Sequence, residues 1–243
     1  MKDVLLNIDY TVGCKDVKDS SVNMVLTDPP YGISRASNFA SGEETGRDVD
    51  RFRISIDFGK WDEKDAFNIE ELCRMAYRVL KPSGYFVCFY DIWKISEIYQ
   101  SFIAAGFSQL RFIEWVKTNP VPINSKINYL TNAREIAVCG VKGDNPVFHS
   151  EYDNGIYNFP IYHDDERFHP TQKPIDLFRS LILKHTNPGD LVLDCCAGSG
   201  TTAIACYMEK RHYICFEINS EYYRQALRRI REESRQLTLD FEY

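Results

Sequence analysis

Short, unbroken apolar runs alternate with helical segments along much of the chain, and this alternation restricts the folds that are open to it. Residues 67–80 place apolar side chains at helical spacing, and the Pro and Gly of residues 81–84 stop that helix. The apolar run Tyr85–Tyr90 follows, and such runs are typical of parallel strands that are buried on both faces. A helix at 93–105 and a strand at 107–116 come next, so we predict an α/β sheet covered by helices on both faces.

A strand, a glycine-rich turn and a helix follow one another near the C-terminus. Leu191–Asp194 has the pattern of a buried strand, and Gly198 and Gly200 lie between it and a helix that continues to about residue 210. In this geometry, backbone N–H groups and a helix N-terminus meet a ligand. The spacing Gly198-x-Gly200-x-x-Ala203 also fits the dinucleotide fingerprint, so a nicotinamide oxidoreductase stays open, whereas the P-loop is excluded because no Lys-Ser/Thr follows.

The position of this turn in the chain predicts a permuted sheet. Only one strand, His212–Phe216, and one helix follow it, so the remaining strands must come from the N-terminal half. We predict that the first and second strands of the sheet come last and that Val4–Ile8 is the third. Ligands of open α/β sheets bind at the carboxyl ends of the strands. Five acidic residues lie at or just past predicted strand ends: Asp9, Asp28, Asp91, Asp194 and Glu217.

The segment Asp28-Pro29-Pro30-Tyr31 leaves the predicted strand Val22–Leu26 as a rigid tip. Each proline fixes its own φ and donates no backbone N–H, so the Pro29 carbonyl can face a ligand without a donor beside it. A carboxylate, a carbonyl and the flat ring of Tyr31 suit a planar group that carries an NH2, such as adenine or cytosine. A proline-rich turn with Asp28 as a turn former is the alternative.

Two stretches interrupt the alternation within what we predict to be a single domain of 243 residues. Residues 32–60 show no sustained period, and we predict a mobile loop that closes over the tip, with a floppy insertion as the alternative. Residues 118–167 are rich in Asn and Pro, and we predict an inserted target-recognition region. Basic residues in and beside this region are candidates to contact a phosphate backbone, with a solvated surface as the alternative: Arg111, Lys117, Lys126, Arg134 and Lys142.

Composition limits the class of protein more than it limits the function. The chain is 44% hydrophobic and 26% charged, as soluble globular proteins are, and its net charge of −6 argues against a surface that is basic throughout. Its eight cysteines show no metal-ligand spacing, and most lie in apolar runs, which fits a reducing compartment. No signal peptide, membrane span or lipidation motif is visible, so we expect a cytoplasmic protein that binds no membrane and needs no metal.

Three motifs in this order resemble the β class of the amino-group DNA methyltransferases: Asp28–Tyr31, His169–Pro174 and Asp194–Thr202. The resemblance covers nearly the whole chain. It implies a Rossmann-like S-adenosylmethionine methyltransferase sheet, circularly permuted, that methylates the exocyclic amine of a base flipped out of double-stranded DNA. Asp28 at the head of its motif favours adenine N6. Three alternatives stay open: methylation of cytosine N4, methylation of RNA or of a protein side-chain amide on the same fold, and a catalytically silent DNA-binding module.

The resemblance also implies roles for individual residues. The catalytic residues would be Asp28, Pro29, Pro30 and Tyr31, with the Tyr31 ring stacked on the flipped base. The residues that bind S-adenosylmethionine would be Asp9, Thr171, Lys173, Asp194, Ala197, Gly198, Gly200, Thr201, Thr202 and Glu217. Among these, Glu217 would accept hydrogen bonds from the ribose, and Thr171 and Lys173 would lie near the methionine end. Members of this family often pair, so the resemblance is compatible with a homodimer.

Overall fold

The structure is a computed structural model that describes residues 2–31, 67–120, 131–161 and 172–240, with side chains described through residue 235. The predicted loop at 32–60 and the predicted cofactor residue Thr171 lie outside these ranges.

Eight strands and six α-helices make up the described part of the chain. The strands are β1 (Val4–Leu6), β2 (Val22–Thr27), β3 (Leu80–Tyr90), β4 (Ser108–Lys117), β5 (Arg134–Val141), β6 (Ile156–Phe159), β7 (Leu191–Asp194) and β8 (His212–Phe216). The helices are α1 (Tyr10–Gly13), α2 (Ile69–Val79), α3 (Ile95–Ala105), α4 (Ile175–His185), α5 (Thr201–Met208) and α6 (Ser220–Asp240).

All eight strands belong to one mixed sheet, in the order β1-β8-β7-β2-β3-β5-β4-β6. The five strands from β1 to β3 in this order are parallel, and β5 runs antiparallel to both of its neighbours. Strands β7 and β8 therefore lie between β1 and β2, which is the neighbour order that the predicted sheet requires. Circular permutation, as a relation to other chains, remains a prediction.

Helices cover both faces of the sheet, as predicted. On β2, Val25 packs into the core beneath α2 and α3, whereas Met24 and Leu26 point to the opposite core beneath α4 and α5. The same alternation on β3 sends Phe86 to the first core and Phe89 to the second. This alternation follows from the two-residue repeat of a strand, and it confirms the α/β class.

Two regions differ from the sequence interpretation. Residues 81–84, predicted only to end a helix, form an irregular start of β3, where the pairing shifts between Val22 opposite Leu80 and Met24 opposite Tyr85. Within the predicted insertion 118–167, β5 pairs with β3 and β4 and β6 pairs with β4, so these two strands of the stretch belong to the main sheet. The sequence pattern did not predict these two strands because the residues around them are rich in Asn and Pro.

None of the helices in the described ranges combines the length and the apolar character that crossing a bilayer demands.

Candidate functional site

The carboxyl ends of the parallel strands open into a cavity of about 1240 Å³. All five acidic residues that the sequence placed at strand ends line it. The other predicted site residues on its wall are Pro29, Pro30, Tyr31, Lys173, Ala197, Gly198, Thr201 and Thr202. The structure thus brings the acidic tip and the glycine-rich turn together at one edge of the sheet, with enough room for a ligand larger than a simple metabolite.

Asp194 holds the glycine-rich turn in shape. Its Oδ1 accepts hydrogen bonds from the Thr27 hydroxyl at 2.8 Å and the Cys196 N–H at 3.0 Å, and its Oδ2 accepts one from the Thr202 hydroxyl. Burial raises the pKa of the Asp194 carboxyl to about 6, and these donors oppose the rise. The side chain therefore fixes the wall of the cavity in addition to lining it.

Glu217 joins the end of β8 to the same turn. Its Oε2 accepts the Gly198 N–H at 2.8 Å and its Oε1 accepts the Asn219 N–H at 2.7 Å. Burial raises the pKa of this carboxyl. Each carboxylate oxygen has two acceptor sites, so both oxygens keep capacity for ligand hydroxyls.

Asp9 and Gly200, two further predicted residues in this part of the site, have structural roles. Asp9 caps α1, with its Oδ1 accepting the Thr11 N–H at 2.7 Å, while it lines the cavity. Gly200 is not on the described cavity wall. It has a φ of +77°, and a Cβ built there would lie 3.1 Å from Ile230 and 3.3 Å from Ala226, so this glycine lets α5 approach α6.

The Asp28 carboxylate at the tip is bound on both oxygens. Oδ1 accepts a hydrogen bond from the Tyr31 hydroxyl, and Oδ2 forms an ion pair with the Lys173 ammonium. Burial raises the pKa of Asp28, and Lys173 limits that rise. Lys173, expected from the resemblance near the methionine end of a cofactor, lies in this structure against the Asp28 carboxylate.

Glu135 is a site residue that the sequence interpretation missed. From β5, its Oε2 lies 3.0 Å from Lys173 Nζ and its Oε1 lies 2.8 Å from Lys117 Nζ. Burial alone would raise its pKa, but the two lysines hold it below the ordinary value. The signal in the sequence was one acidic residue at the head of an apolar run, which is too common a pattern to single it out.

Two buried acceptor oxygens in the cavity have no hydrogen-bond donor among the described residues. They are Oδ2 of Asp91 and Oε1 of Gln172, and both side chains line the cavity wall. Buried polar atoms are nearly always satisfied in folded proteins. The two oxygens therefore offer acceptor sites to a ligand that brings N–H or O–H donors.

The basic residues that the sequence singled out have different positions. Lys117 is paired with Glu135, and Lys142 donates to the Leu80 carbonyl at 2.7 Å, so both lysines serve contacts within the protein. Arg134 has a largely exposed side chain, 3.3 Å from Glu114, and lines the cavity. Arg111 is exposed on β4, and Lys126 lies outside the described residues.

A glycine-rich turn tied to an acidic residue at the end of the next strand faces an acidic tip in the same cavity, and the Rossmann-like sheet that carries them is that of the S-adenosylmethionine methyltransferases. The family model described as DNA methylase matches residues 22–228, and the chain belongs to this family. It is an S-adenosylmethionine-dependent DNA methyltransferase.

Curated relatives and solved structures are similar over most of their lengths. The Type II methyltransferase M2.DpnII of Streptococcus pneumoniae is 30% identical over 254 residues, which cover 96% of this chain and 91% of that protein. M2.MboI of Moraxella bovis is 31% identical, covering 88% and 82%. The crystal structure of the M1.HpyAVI-SAM complex superposes with a TM-score of 0.69 at 28% identity, covering 93% of this chain and 98% of that chain. PvuII DNA methyltransferase (cytosine-N4-specific) shares the fold, with a TM-score of 0.70 at 18% identity, covering 96% of this chain and 91% of that chain.

The residues present fit S-adenosylmethionine. Glu217 offers acceptor sites for the ribose hydroxyls, beside a turn in which Gly198 adopts a φ of +51° and lets the backbone come close. The unsatisfied oxygens of Asp91 and Gln172 suit the N–H donors of an α-ammonium group. The donors and acceptors on this wall thus match a nucleoside that carries an amino acid.

Proposed function

We propose that this DNA methylase methylates the exocyclic N6 amine of an adenine that has flipped out of double-stranded DNA. The observation that carries the proposal is that Asp28, Pro29 and Tyr31 share one cavity with the glycine-rich turn and Glu217. An amine that is paired inside a duplex cannot reach such a cavity, so the base must leave the helix. Relatives that are named Type II methyltransferases support a site-specific modification enzyme of a restriction-modification system.

The chain's own residues act on the amine. Its nitrogen is a poor nucleophile because the lone pair is delocalised into the ring, and Asp28 and the Pro29 carbonyl are placed to accept its two N–H bonds. This favours a tetrahedral nitrogen whose lone pair points away from both acceptors. S-adenosylmethionine, when bound, supplies a methyl group that is already activated on its sulfonium. Asp28, as an acceptor of the amine N–H, is placed to receive the proton that the nitrogen loses.

Ionised Asp28 is the form that this mechanism requires. Burial opposes that form by raising the pKa of Asp28, and the Lys173 cation at Oδ2 limits that rise. The pKa of Lys173 is itself raised, because Asp28 and Glu135 together outweigh its burial. The proposed step uses the pair as a carboxylate and an ammonium, the forms that the contact between Oδ2 and Nζ stabilises. Held in one cavity, the reacting groups gain rate from positioning without a covalent enzyme intermediate.

Several finer assignments belong to the same proposal. Parts of residues 118–167 outside the sheet would read the target sequence, with the exposed Arg134 on the DNA side of the cavity. Residues 32–60 would close over the tip, and the Tyr31 ring would stack on the flipped base. We also propose a cytoplasmic enzyme that is able to pair as a homodimer.

Cytosine N4 is the second candidate target. The PvuII enzyme, which is named as cytosine-N4-specific, supports it through the fold alone, because its identity to this chain is 18%. Asp28, the first residue of the motif Asp28–Tyr31, favours adenine, since the resemblance associates Ser at that position with cytosine.

Nucleoside analysis by mass spectrometry tests the proposal. Purified protein is incubated with S-adenosylmethionine and unmethylated duplex DNA, which is then digested to nucleosides. We expect N6-methyl-2′-deoxyadenosine from the wild type and none from Asp28→Ala. N4-methyl-2′-deoxycytidine would replace the adenine assignment by the cytosine one. Methylation of RNA or protein in parallel incubations, with none of DNA, would overturn both.

A further inference from the structure

Four charged side chains from four segments form a continuous row, and those of Asp28, Lys173 and Glu135 line the cavity. Lys173 lies between the carboxylates of Asp28 and Glu135, and Glu135 lies between Lys173 and Lys117. The exposed fractions of these side chains are small: 5% for Lys173, 16% for Asp28, 24% for Glu135 and 13% for Lys117. Two cations and two anions balance, so the row carries no net charge where an unpaired charge would be costly.

We propose that Glu135, supported by Lys117, is a positioning residue that determines how strongly Lys173 holds the Asp28 carboxylate. This inference rests on the proposed function, because it assigns Asp28 the role of acceptor for the substrate amine. Nothing in the motifs of the sequence points to Glu135 or Lys117.

Sharing of the Lys173 ammonium is the first reason. Its Nζ faces both Asp28 and Glu135, so each carboxylate receives part of one charge. With Asp28 as its sole anionic partner, Lys173 would bind it fully and leave it a weak acceptor for the base. With too little cation nearby, burial would protonate Asp28 and remove the acceptor. Glu135 keeps the carboxylate between these two limits.

Rigidity of the support is the second reason. Glu135 and Lys117 belong to neighbouring antiparallel strands, with Trp115 opposite Glu135 and Val116 opposite Arg134. Lys173 comes from the segment that leads into α4. Strands hold side chains more firmly than loops do, so the strand pair fixes the ammonium beside Asp28.

Other ionisable groups also face Asp28 from the elements packed around it. They are Tyr31 on its own segment, Cys88 on β3, and Asp194 and Cys196 at the end of β7. These groups are unchanged in the variants compared below. A change in the pH profile of the rate is therefore attributed to the row formed by Asp28, Lys173, Glu135 and Lys117.

Two variants are expected to shift the pH dependence of the single-turnover rate in opposite directions. Glu135→Gln removes a negative charge near Asp28, so the acid limb of the single-turnover rate moves to lower pH, by about one unit. The same change commits Lys173 to Asp28, and the rate on the plateau falls by about 10- to 100-fold. Lys117→Gln leaves Glu135 less neutralised, so the acid limb moves to higher pH. Glu209→Gln is the matched control, since that partly buried acid pairs with Arg179 at 2.6 Å and does not line the cavity.

The rates are measured with saturating duplex DNA and S-adenosylmethionine, together with binding of S-adenosylmethionine by calorimetry. Opposite shifts of the acid limb, with cofactor affinity unchanged, are the expected result. Shifts in the same direction, or none, with an active wild type would overturn the inference and leave the proposed function standing. An inactive wild type would instead overturn the proposed function.

If Glu135→Gln does not fold, Glu135→Asp replaces it. The shorter side chain keeps the charge but loses reach, so the acid limb should stay near that of the wild type while the plateau rate falls. A full plateau rate in this variant would also overturn the inference.

Discussion

Replacement of Asp28 by Asn perturbs the proposed chemistry with the smallest change in shape. The amide keeps an oxygen for the Tyr31 hydroxyl, but its NH2 group then faces the Lys173 ammonium. Two donors cannot bond to each other, so Lys173 turns to Glu135, which already lies 3.0 Å away. The substrate amine then loses a charged acceptor. Removal of one preorganised group of this kind costs about 2.7–4 kcal/mol in the transition state, or about 10²- to 10³-fold in rate.

Single-turnover transfer of a labelled methyl group into duplex DNA measures this loss. We expect the rate to fall by about 10²- to 10³-fold, while calorimetry shows unchanged affinity for S-adenosylmethionine, because Asp194 and Glu217 still hold the glycine-rich turn. Asp19→Asn is the matched control, since Asp19 is an exposed partner of Arg78. A rate equal to that of the wild type would refute the assignment of Asp28. Equal losses of rate and of cofactor affinity would assign it to cofactor binding instead.

Three further changes test the cofactor half of the site. Glu217→Gln places an NH2 group against a backbone N–H, and we expect calorimetry to show about 10- to 100-fold weaker binding of S-adenosylmethionine; unchanged binding would contradict the ribose contact. Gly200→Ala forces a side chain into a φ of +77° against Ile230, so urea unfolding should show a loss of about 1–2 kcal/mol, and an unchanged midpoint would contradict the tight packing. The pKa of Asp194 rises from 3.8 to about 6 on folding, so the folded state binds its proton more tightly and ionisation lowers stability by about 3 kcal/mol as pH rises from about 4 to above 6. Asp194→Asn should remove that fall, and a wild-type pH dependence of its unfolding would contradict the shift.

The sequence predicted the edge of the sheet at which the site lies because parallel strands end there together. Asp28, Asp91 and Asp194 each follow or end an apolar run, and a run of that kind is visible without any long-range information. Their convergence then follows from the topology rule for open α/β sheets. For the same reason, Glu217 was placed correctly on the cavity wall from its position after the run His212–Phe216.

Contacts that depend on antiparallel register could not be predicted in this way. Glu135 meets Lys117 and Lys173 only because β5 enters the sheet between β3 and β4, and its sequence context did not show that it does. Lys117 and Lys142 were candidates for phosphate contacts, and their partners inside the protein, Glu135 and the Leu80 carbonyl, were not predicted for a related reason. The sequence shows that a residue is charged, but the packing of the strands decides whether its side chain faces solvent or a partner inside the protein.

One hydrogen bond connects the two halves of the site through the sheet itself. Thr27, which directly precedes Asp28, donates to Asp194 Oδ1 at 2.8 Å, and the same oxygen accepts the Cys196 N–H at the start of the turn. Because β2 and β7 are hydrogen-bonded neighbours, the separation of tip and turn is set by the spacing of adjacent strands. Transfer between two bound molecules requires reacting atoms held within about 3–3.5 Å. A strand pair bridged at its carboxyl end meets that requirement more rigidly than loops would, which accounts for the placement of the acidic tip immediately after β2.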